Sequence, residues 1–204
     1  AHAISLDKKS TQQLLAALPY SLTPDQKAVA WEILQDMNTS YPMNRLLQGD
    51  VGAGKTIVAA LAMLNVVRAG YQFALMAPTE VLATQHYNTL RAIFDIHGVS
   101  TTLLTSSIPS QEKKRMIAAM CDGSVDGVIG THALIQEKVA FRHLALAVVD
   151  EQHRFGVKQR RTLREKNSDG VMPHLLSMTA TPIPRSLALT IYGDLDISTI
   201  RTLP

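Results

Sequence analysis

The stretch Gly49-Asp50-Val51-Gly52-Ala53-Gly54-Lys55-Thr56 decides the fold of this 204-residue chain. Its glycines permit a tight backbone turn in which several N–H groups point toward an anion. The Lys55 side chain can reach the β- and γ-phosphates of a nucleotide, and the Thr56 hydroxyl can bind Mg²⁺. We therefore predict that residues 49–56 form a loop that binds the phosphates of a nucleoside triphosphate.

The residues on both sides of this loop support the prediction. Residues 45–48 have the apolar character of a short buried strand, and residues 57–68 have the pattern of a helix. The positive end of that helix would face the phosphates. An ordinary glycine-rich turn is the alternative, but such a turn needs neither a strand before it nor a helix that starts with Lys-Thr after it.

Short apolar runs alternate with longer helical patterns through the rest of the chain. Strands are predicted at residues 45–48, 73–77, 101–105, 126–130, 145–150 and 174–178, with a final edge strand at 197–200. Helices are predicted near residues 11–18, 24–37, 55–69, 80–95, 110–121 and 184–192. Apolar strands separated by helices predict an α/β fold with a mostly parallel sheet and helices on both faces. Functional loops should then gather at the carboxyl ends of the strands.

The composition is that of a globular chain with its own core. Hydrophobic residues make up 46% of the sequence, and the net charge of +3 permits a nucleic-acid partner without requiring one. The longest apolar stretch, residues 57–67, is too short to span a bilayer, and residues 1–4 do not resemble a secretory signal. The single cysteine, Cys121, excludes an internal disulfide and is expected to be a small core residue on a helix. Together these features predict a cytoplasmic protein with no membrane partner.

A second motif supplies the carboxylates that an ATP site needs. The apolar run at residues 145–149 ends in Asp150 and Glu151. Asp150, at the tip of a buried strand, is placed to hold Mg²⁺ beside Thr56. Glu151 leaves the strand in another direction and can orient or deprotonate the water that attacks the γ-phosphate. The alternative is a strand that runs into a solvated acidic turn.

Two further polar residues lie close to these motifs in the sequence. The Gln26 amide can both donate to and accept from the edge of an adenine base, although an isolated glutamine is more often a surface residue. His153 follows Glu151 by two residues and can relay the state of the γ-phosphate to neighbouring loops, although a lone histidine is more often structural.

The motifs occur in an order and at a spacing that resemble the first motor domain of superfamily 2 helicases. They are Leu22-Thr23-Pro24-Asp25-Gln26, Gly49–Thr56, Ala77-Pro78-Thr79-Glu80, Gly130-Thr131-His132, Asp150-Glu151-Gln152-His153 and Thr179-Ala180-Thr181-Pro182. Within that superfamily, residues 150–157 and 179–185 are similar to the RecG family of bacterial ATP-dependent DNA helicases. The transcription-repair coupling factors are the nearest relatives. The resemblance implies a RecA-like P-loop domain at residues 20–193, a lead-in segment at 1–19 and a linker at 194–204.

The resemblance also implies particular roles for the residues of the ATP site. Gln26 would contact adenine, whereas Lys55 and Thr56 would contact the phosphates and Mg²⁺. Asp150 would hold the metal, and Glu151 would act on the attacking water. The implied cofactors are therefore ATP and Mg²⁺.

Other residues would contact DNA or couple ATP hydrolysis to its movement. Thr79, Thr105 and Thr131 would hold DNA phosphates, although Thr79 and Thr131 are equally good helix caps without the resemblance. Ser106 departs from the family pattern, which often has glycine at this position. The coupling residues would be His153, Arg154, Thr179 and Thr181, with Arg185 as a further support.

The resemblance implies an enzyme that uses ATP hydrolysis to unwind or remodel branched DNA in repair and recombination. A second motor domain and a wedge domain of a longer parent chain are the expected partners. The isolated chain is then expected to bind nucleotide but to hydrolyse it poorly. An RNA helicase and a nucleotide-responsive binding module without translocation are the alternatives. A metabolic kinase is less favoured because the sequence has no Arg-rich lid signature.

Overall fold

A parallel sheet forms the centre of the part of the chain that the structure, a computed structural model, describes. That part comprises residues 1–6, 8–16, 18, 21–131, 133–136, 139–151, 156–182 and 195–202. The strands are β1 (Asn44–Gly49), β2 (Gln72–Ala77), β3 (Thr101–Leu104), β4 (Gly127–Thr131), β5 (Leu144–Asp150), β6 (His174–Thr179) and β7 (Asp196–Ile200). The helices are α1 (Lys8–Ala16), α2 (Pro24–Met37), α3 (Lys55–Arg68), α4 (Glu80–Ile96), α5 (Ser110–Asp122), α6 (Ala133–Gln136) and α7 (Val157–Glu165).

The strand order across the sheet is β3-β4-β2-β5-β6-β1-β7, and every described pair of neighbouring strands is parallel. All described carboxyl ends therefore lie at the same edge of the sheet. The central strands are apolar on both faces because helices cover both faces, and β2 is buried along its whole length. The predicted α/β fold with a parallel sheet is confirmed.

Alternate residues of the central strands contribute to two apolar clusters on opposite faces of the sheet. Phe73 and Leu75 of β2 belong to the larger cluster, in which they pack with residues of α2, α3 and α4. Ala74 and Met76 belong to the other cluster, with residues from α5 and α7. This alternation follows from the twofold side-chain repeat of a strand. The two layers hold the loops at the carboxyl edge in place.

Most predicted elements are found within a residue or two of their expected bounds, including the edge strand β7. The helix predicted at 11–18 occupies Lys8–Ala16, and the four-residue helix α6 was not predicted. The expectation for Cys121 is wrong, because its side chain is exposed on α5 and not part of the core. The helix predicted at 184–192 lies entirely among residues that the structure does not describe. No helix in the described ranges combines the length and apolar character that a bilayer crossing requires.

Candidate nucleotide and nucleic-acid site

The glycine-rich loop joins the carboxyl end of β1 to the first turn of α3. Gly52 and Gly54 both have left-handed backbone angles, with φ of 85° and 81°. Gly54 precedes α3 and has no side chain to cap the helix, although its carbonyl oxygen accepts from the N–H groups of Ile57 and Val58 at 3.1 and 3.3 Å. Uncapped N–H groups and the helix dipole together favour an anion at this position. The loop therefore has the backbone that phosphate binding requires.

The Lys55 side chain folds back over this loop. Its ammonium donates hydrogen bonds to the carbonyl oxygens of Gly49, at 2.7 Å, and Asp50, at 3.0 Å. Its positive charge thus lies beside the loop backbone. Thr56 follows in the first turn of α3, and the Val51 side chain at the tip of the loop is exposed. Lysine and threonine are held at the same helix end, as the sequence predicted.

Gln26 is buried, and its amide joins α2 to the glycine-rich loop. Its Nε2 donates to the Ala53 carbonyl oxygen at 2.9 Å, while its Oε1 accepts from the Thr23 N–H at 2.9 Å. The Thr23 hydroxyl in turn accepts from the Gln26 N–H at 3.2 Å, which completes a capping box at the start of α2. The sequence predicted that the Gln26 amide contacts adenine. In this structure the amide is hydrogen-bonded to the Thr23 and Ala53 backbone.

A cavity of about 410 Å³ adjoins Gln26 and the first turn of α3. Leucine and isoleucine side chains line it together with several polar side chains. The residues that line it are Ser21, Leu22, Gln26, Gly54, Thr56, Ile57, Thr89, Leu90 and Ile93. Gln26 uses one donor and one acceptor on protein groups, so one amide hydrogen and one oxygen lone pair of the same side chain remain for a ligand. The cavity thus combines apolar side chains with polar groups, as is common in sites for small ligands such as a nucleotide base.

Asp150 and the glycine-rich loop lie at the same edge of the sheet. The register pairs Asp150 with Met178 of β6, and pairs Gln48 of β1 with Thr179. Only β6 separates the two strand ends, so they are about 10 Å apart at the usual strand spacing. Asp150 and the loop that contains Lys55 therefore lie close together at one edge of the sheet.

Glu151 has an unusual backbone conformation. Its φ is 54°, and among the residues that the structure describes no other non-glycine residue has a positive φ. Its N–H donates to the Met178 carbonyl oxygen at 3.0 Å, which holds the chain in this turn. A non-glycine residue in this region is strained, and such strain often occurs at functional sites. The strained residue directly follows Asp150 at the end of β5.

Three predicted nucleic-acid contacts lie along the other half of the same edge, beyond β2, β3 and β4. Thr79 is exposed, and its hydroxyl caps α4 by accepting from the Leu82 N–H at 3.2 Å. Thr131 ends β4 and is half-buried, in register with Ala77 at the end of β2. Thr105 is buried, and its hydroxyl is hydrogen-bonded to that of Ser107 at 3.0 Å. The edge therefore presents Thr79 to solvent and keeps Thr105 largely covered.

Glu80 connects two of the loops that carry these threonines. Its carboxylate accepts a hydrogen bond from the Ser106 N–H at 2.8 Å and another from the Ser106 hydroxyl. The pKa of Glu80 is lower than its ordinary value, mainly because its carboxylate accepts the hydrogen bond from the Ser106 side chain. The start of α4 is thereby attached to the loop after β3.

The predicted coupling residues are only partly described. Thr179 is buried at the end of β6, and its hydroxyl accepts from the Thr181 N–H at 3.1 Å and contacts the Thr181 hydroxyl at 2.9 Å. These bonds form a tight turn next to the ATP-site strands. His153, Arg154 and Arg185 lie outside the described residues, so their predicted roles stay predictions.

The residues of this edge fit Mg²⁺ bound together with a nucleotide. Thr56 and Asp150 offer a hydroxyl and a carboxylate, which are hard oxygen ligands of the kind that Mg²⁺ prefers. The described residues contain no group of three or more His, Cys, Asp or Glu side chains that could bind a metal by themselves. A metal at this edge would therefore depend on phosphate oxygens and water for its remaining ligands, as is usual for Mg²⁺.

A family model for DEAD/DEAH box helicases matches residues 23–190. The chain belongs to the DEAD/DEAH box helicase family. The matched range includes the glycine-rich loop, the Asp150-Glu151 pair and the three threonines, so the geometry described above is that of a DEAD/DEAH box helicase domain.

Two similar proteins show which members of this helicase family the chain resembles. ATP-dependent DNA helicase RecG of Aquifex aeolicus (strain VF5) is 51% identical over 204 residues, which is 100% of this chain and 26% of that protein. RecG of Bacillus subtilis (strain 168) is 50% identical over 192 residues, which is 94% of this chain and 28% of that protein. The predicted resemblance to RecG is confirmed. The chain spans about a quarter of the length of these relatives.

A solved structure gives the same result for the fold. The structure of RecG bound to a three-way DNA junction superposes on this chain with a TM-score of 0.84 at 44% sequence identity. The superposition covers 98% of this chain and 26% of the RecG chain. The RecA-like fold of this helicase domain is therefore confirmed.

One site residue of this helicase domain was not predicted from the sequence. His86 of α4 contacts the Asp150 carboxylate, with 2.6 Å between Nε2 and Oδ2. The two residues are 64 positions apart, and a histidine inside an amphipathic helix pattern carries no local signal of such a contact. Only the packing of α4 beside the sheet brings them together.

Proposed function

We propose that this chain is the first motor domain of an ATP-dependent DNA helicase that remodels branched DNA in repair and recombination. The observation that carries the proposal is the arrangement of one sheet edge. The groups suited to ATP lie at the ends of β1, β5 and β6, and the threonines suited to nucleic-acid phosphates lie beyond β2, β3 and β4. A motor needs both sets on one rigid support, whereas a simple nucleotide switch does not need the second set.

The ATP-site residues then have separate roles. The N–H groups of residues 49–56 and the Lys55 ammonium bind the phosphates, and the apolar cavity beside Gln26 receives the base. Thr56 and Asp150 hold Mg²⁺, which when bound neutralises negative charge on the phosphates. Glu151, which directly follows the metal carboxylate in the chain, accepts a proton from the water that attacks the γ-phosphate.

Thr79 and Thr131 contact DNA phosphates in this proposal, with Thr105 as a third contact once the loop after β3 adjusts. Phosphate contacts alone do not separate DNA from RNA. The choice of DNA, and of branched DNA in particular, rests on the similarity to RecG and to the RecG structure with a three-way junction. An RNA helicase is the alternative that a direct binding comparison must exclude.

We also propose that the chain alone binds nucleotide but turns it over slowly. In helicases of this class, an arginine from the second motor domain neutralises charge that develops in the transition state. The expected partners are a second motor domain and a wedge domain in a longer parent chain, with residues 1–19 as a lead-in segment and residues 194–204 as a linker. A cytoplasmic location stays a prediction.

The experiment that tests the proposal is a titration of the chain with fluorescent ADP in the presence of Mg²⁺. Lys55→Ala should weaken binding at least tenfold, because a charge-assisted hydrogen bond contributes about 1.5–3 kcal/mol. Lys27→Ala removes an exposed lysine from α2 and serves as a charge-matched control that should bind as wild type does. Equal affinity of Lys55→Ala and wild type, with both folded, would refute the ATP site.

A second arm of the experiment addresses the nucleic acid. Labelled three-way DNA junction, single-stranded DNA and single-stranded RNA are compared by fluorescence anisotropy, each with and without Mg²⁺ and a non-hydrolysable ATP analogue. A nucleotide-dependent change in affinity for the junction supports a motor domain. A preference for RNA favours the RNA helicase, and binding to none of the three favours a nucleotide-responsive module.

A further inference from the structure

The contact between His86 and Asp150 joins the two halves of the functional edge. Asp150 ends β5, in the half that holds the ATP-site groups, and His86 lies on α4, which starts after β2 in the nucleic-acid half. The Nε2–Oδ2 distance is 2.6 Å, and the two side chains are only 13% and 15% exposed. A short hydrogen bond between two largely covered side chains fixes the orientation of both.

The geometry leaves one Asp150 oxygen for the metal. Nε2 of His86 donates to Oδ2, so Oδ1 can face a water or a metal ion without competition from the ring. Carboxylates that bind metals are commonly held by such a second partner, and loss of that partner typically weakens metal affinity 10- to 100-fold. We propose that His86 is the positioning residue that holds Asp150 ready for Mg²⁺; this rests on the ATP site proposed above.

The position of His86 on α4 gives the contact a further consequence. Thr79 caps this helix at the exposed end, seven residues before His86. At 1.5 Å per residue, the distance along the helix is about 10 Å. A helix of this length moves as a rigid rod, so any displacement of its first turn also displaces the ring that holds Asp150. The metal carboxylate is thus attached to the helix that begins at the predicted phosphate contact.

The test measures the Mg²⁺ dependence of fluorescent ADP binding to the 204-residue chain. His86→Ala should raise the Mg²⁺ concentration for half-maximal effect at least tenfold. Its ADP affinity in EDTA and its melting temperature should stay close to wild type, which a purely structural role would not predict. Gln85→Ala removes the exposed neighbour on α4 and should leave the Mg²⁺ dependence unchanged.

A pair of amide variants separates the hydrogen bond from the bulk of the ring. In His86→Gln the amide nitrogen reaches the position of Nε2, so the Mg²⁺ dependence should stay within about threefold of wild type, well inside the usual effect of losing such a partner. In His86→Asn the amide falls short, and the dependence should resemble that of His86→Ala. If His86→Ala does not fold, the comparison of His86→Gln with His86→Asn still tests whether the hydrogen bond to Asp150 sets the Mg²⁺ dependence.

The outcomes distinguish this inference from the proposed function. If wild type binds ADP in a Mg²⁺-dependent way and all His86 variants match it, the positioning role is wrong and the ATP site stands. If wild type shows no Mg²⁺-dependent nucleotide binding, both the ATP site and the role of His86 are overturned.

Discussion

At the scale of single residues, Glu151 combines a strained backbone with a position next to the metal carboxylate. A left-handed conformation costs a non-glycine residue about 1–2 kcal/mol, but asparagine adopts it more readily. We predict that Glu151→Asn has a free energy of unfolding about 1 kcal/mol higher than Glu151→Gln. Both variants remove the charge and keep an amide, so the backbone preference is the main difference between them, beside one methylene group. Urea denaturation at pH 7 measures it, and equal stability would show that the φ of 54° stores no strain.

At the scale of elements, the local pattern predicted most of the fold but few of its contacts. Strands and helices follow from the burial repeat of nearby residues, so the bounds of β2 and α4 were predicted to within one residue. The four residues of α6 complete hardly more than one turn and leave no periodic signal. The contacts of Gln26 with Ala53 and of His86 with Asp150 join residues far apart in sequence, and only tertiary packing brings them together.

Gly54 lies in close contact with the buried Gln26 amide where α2 meets the glycine-rich loop. A Cβ at Gly54 would lie 2.3 Å from Nε2 of Gln26, whereas a Cβ at Gly52 would have nothing within 4 Å. Both residues have a left-handed φ, so alanine at either position carries a similar backbone cost. Gly54→Ala must also displace the buried amide, so we predict that it destabilises the chain by about 1–3 kcal/mol more than Gly52→Ala.

Chemical denaturation of the single variants and of Gly54→Ala in a Gln26→Ala background provides the check. Removing the Gln26 amide makes room for the new methyl group, so the cost of Gly54→Ala should fall toward that of Gly52→Ala. Equal losses for both glycine variants in the wild-type background would mean that Gln26 does not hold α2 against the loop.

At the scale of the whole molecule, His174 joins the first residues of the chain to the sheet. It is fully buried at the start of β6, where Nδ1 accepts from the Met43 N–H at 3.0 Å and Nε2 donates to the His2 carbonyl oxygen at 2.7 Å. This pattern requires the neutral ring. Burial is the main cause that lowers the pKa of His174 from its ordinary value of 6.5, against an opposing effect of the hydrogen bond to His2.

The lowered pKa of His174 predicts how the stability of the domain depends on pH. Below pH 6.5 the unfolded chain protonates this histidine before the folded chain does, so the unfolded state binds more protons and falling pH favours unfolding. The stabilising contribution is therefore complete above pH 6.5 and is lost as pH falls toward the folded-state pKa.

His174→Asn keeps an acceptor for the Met43 N–H but cannot titrate. It should melt below wild type at pH 7.5, because the bond to His2 is lost, and the gap should narrow at pH 5.5. The melting temperature of a domain of this size shifts by about 2–4 °C for each kcal/mol of stability, which thermal denaturation resolves. If the melting temperatures of the two proteins change in parallel with pH, His174 is not the titrating group.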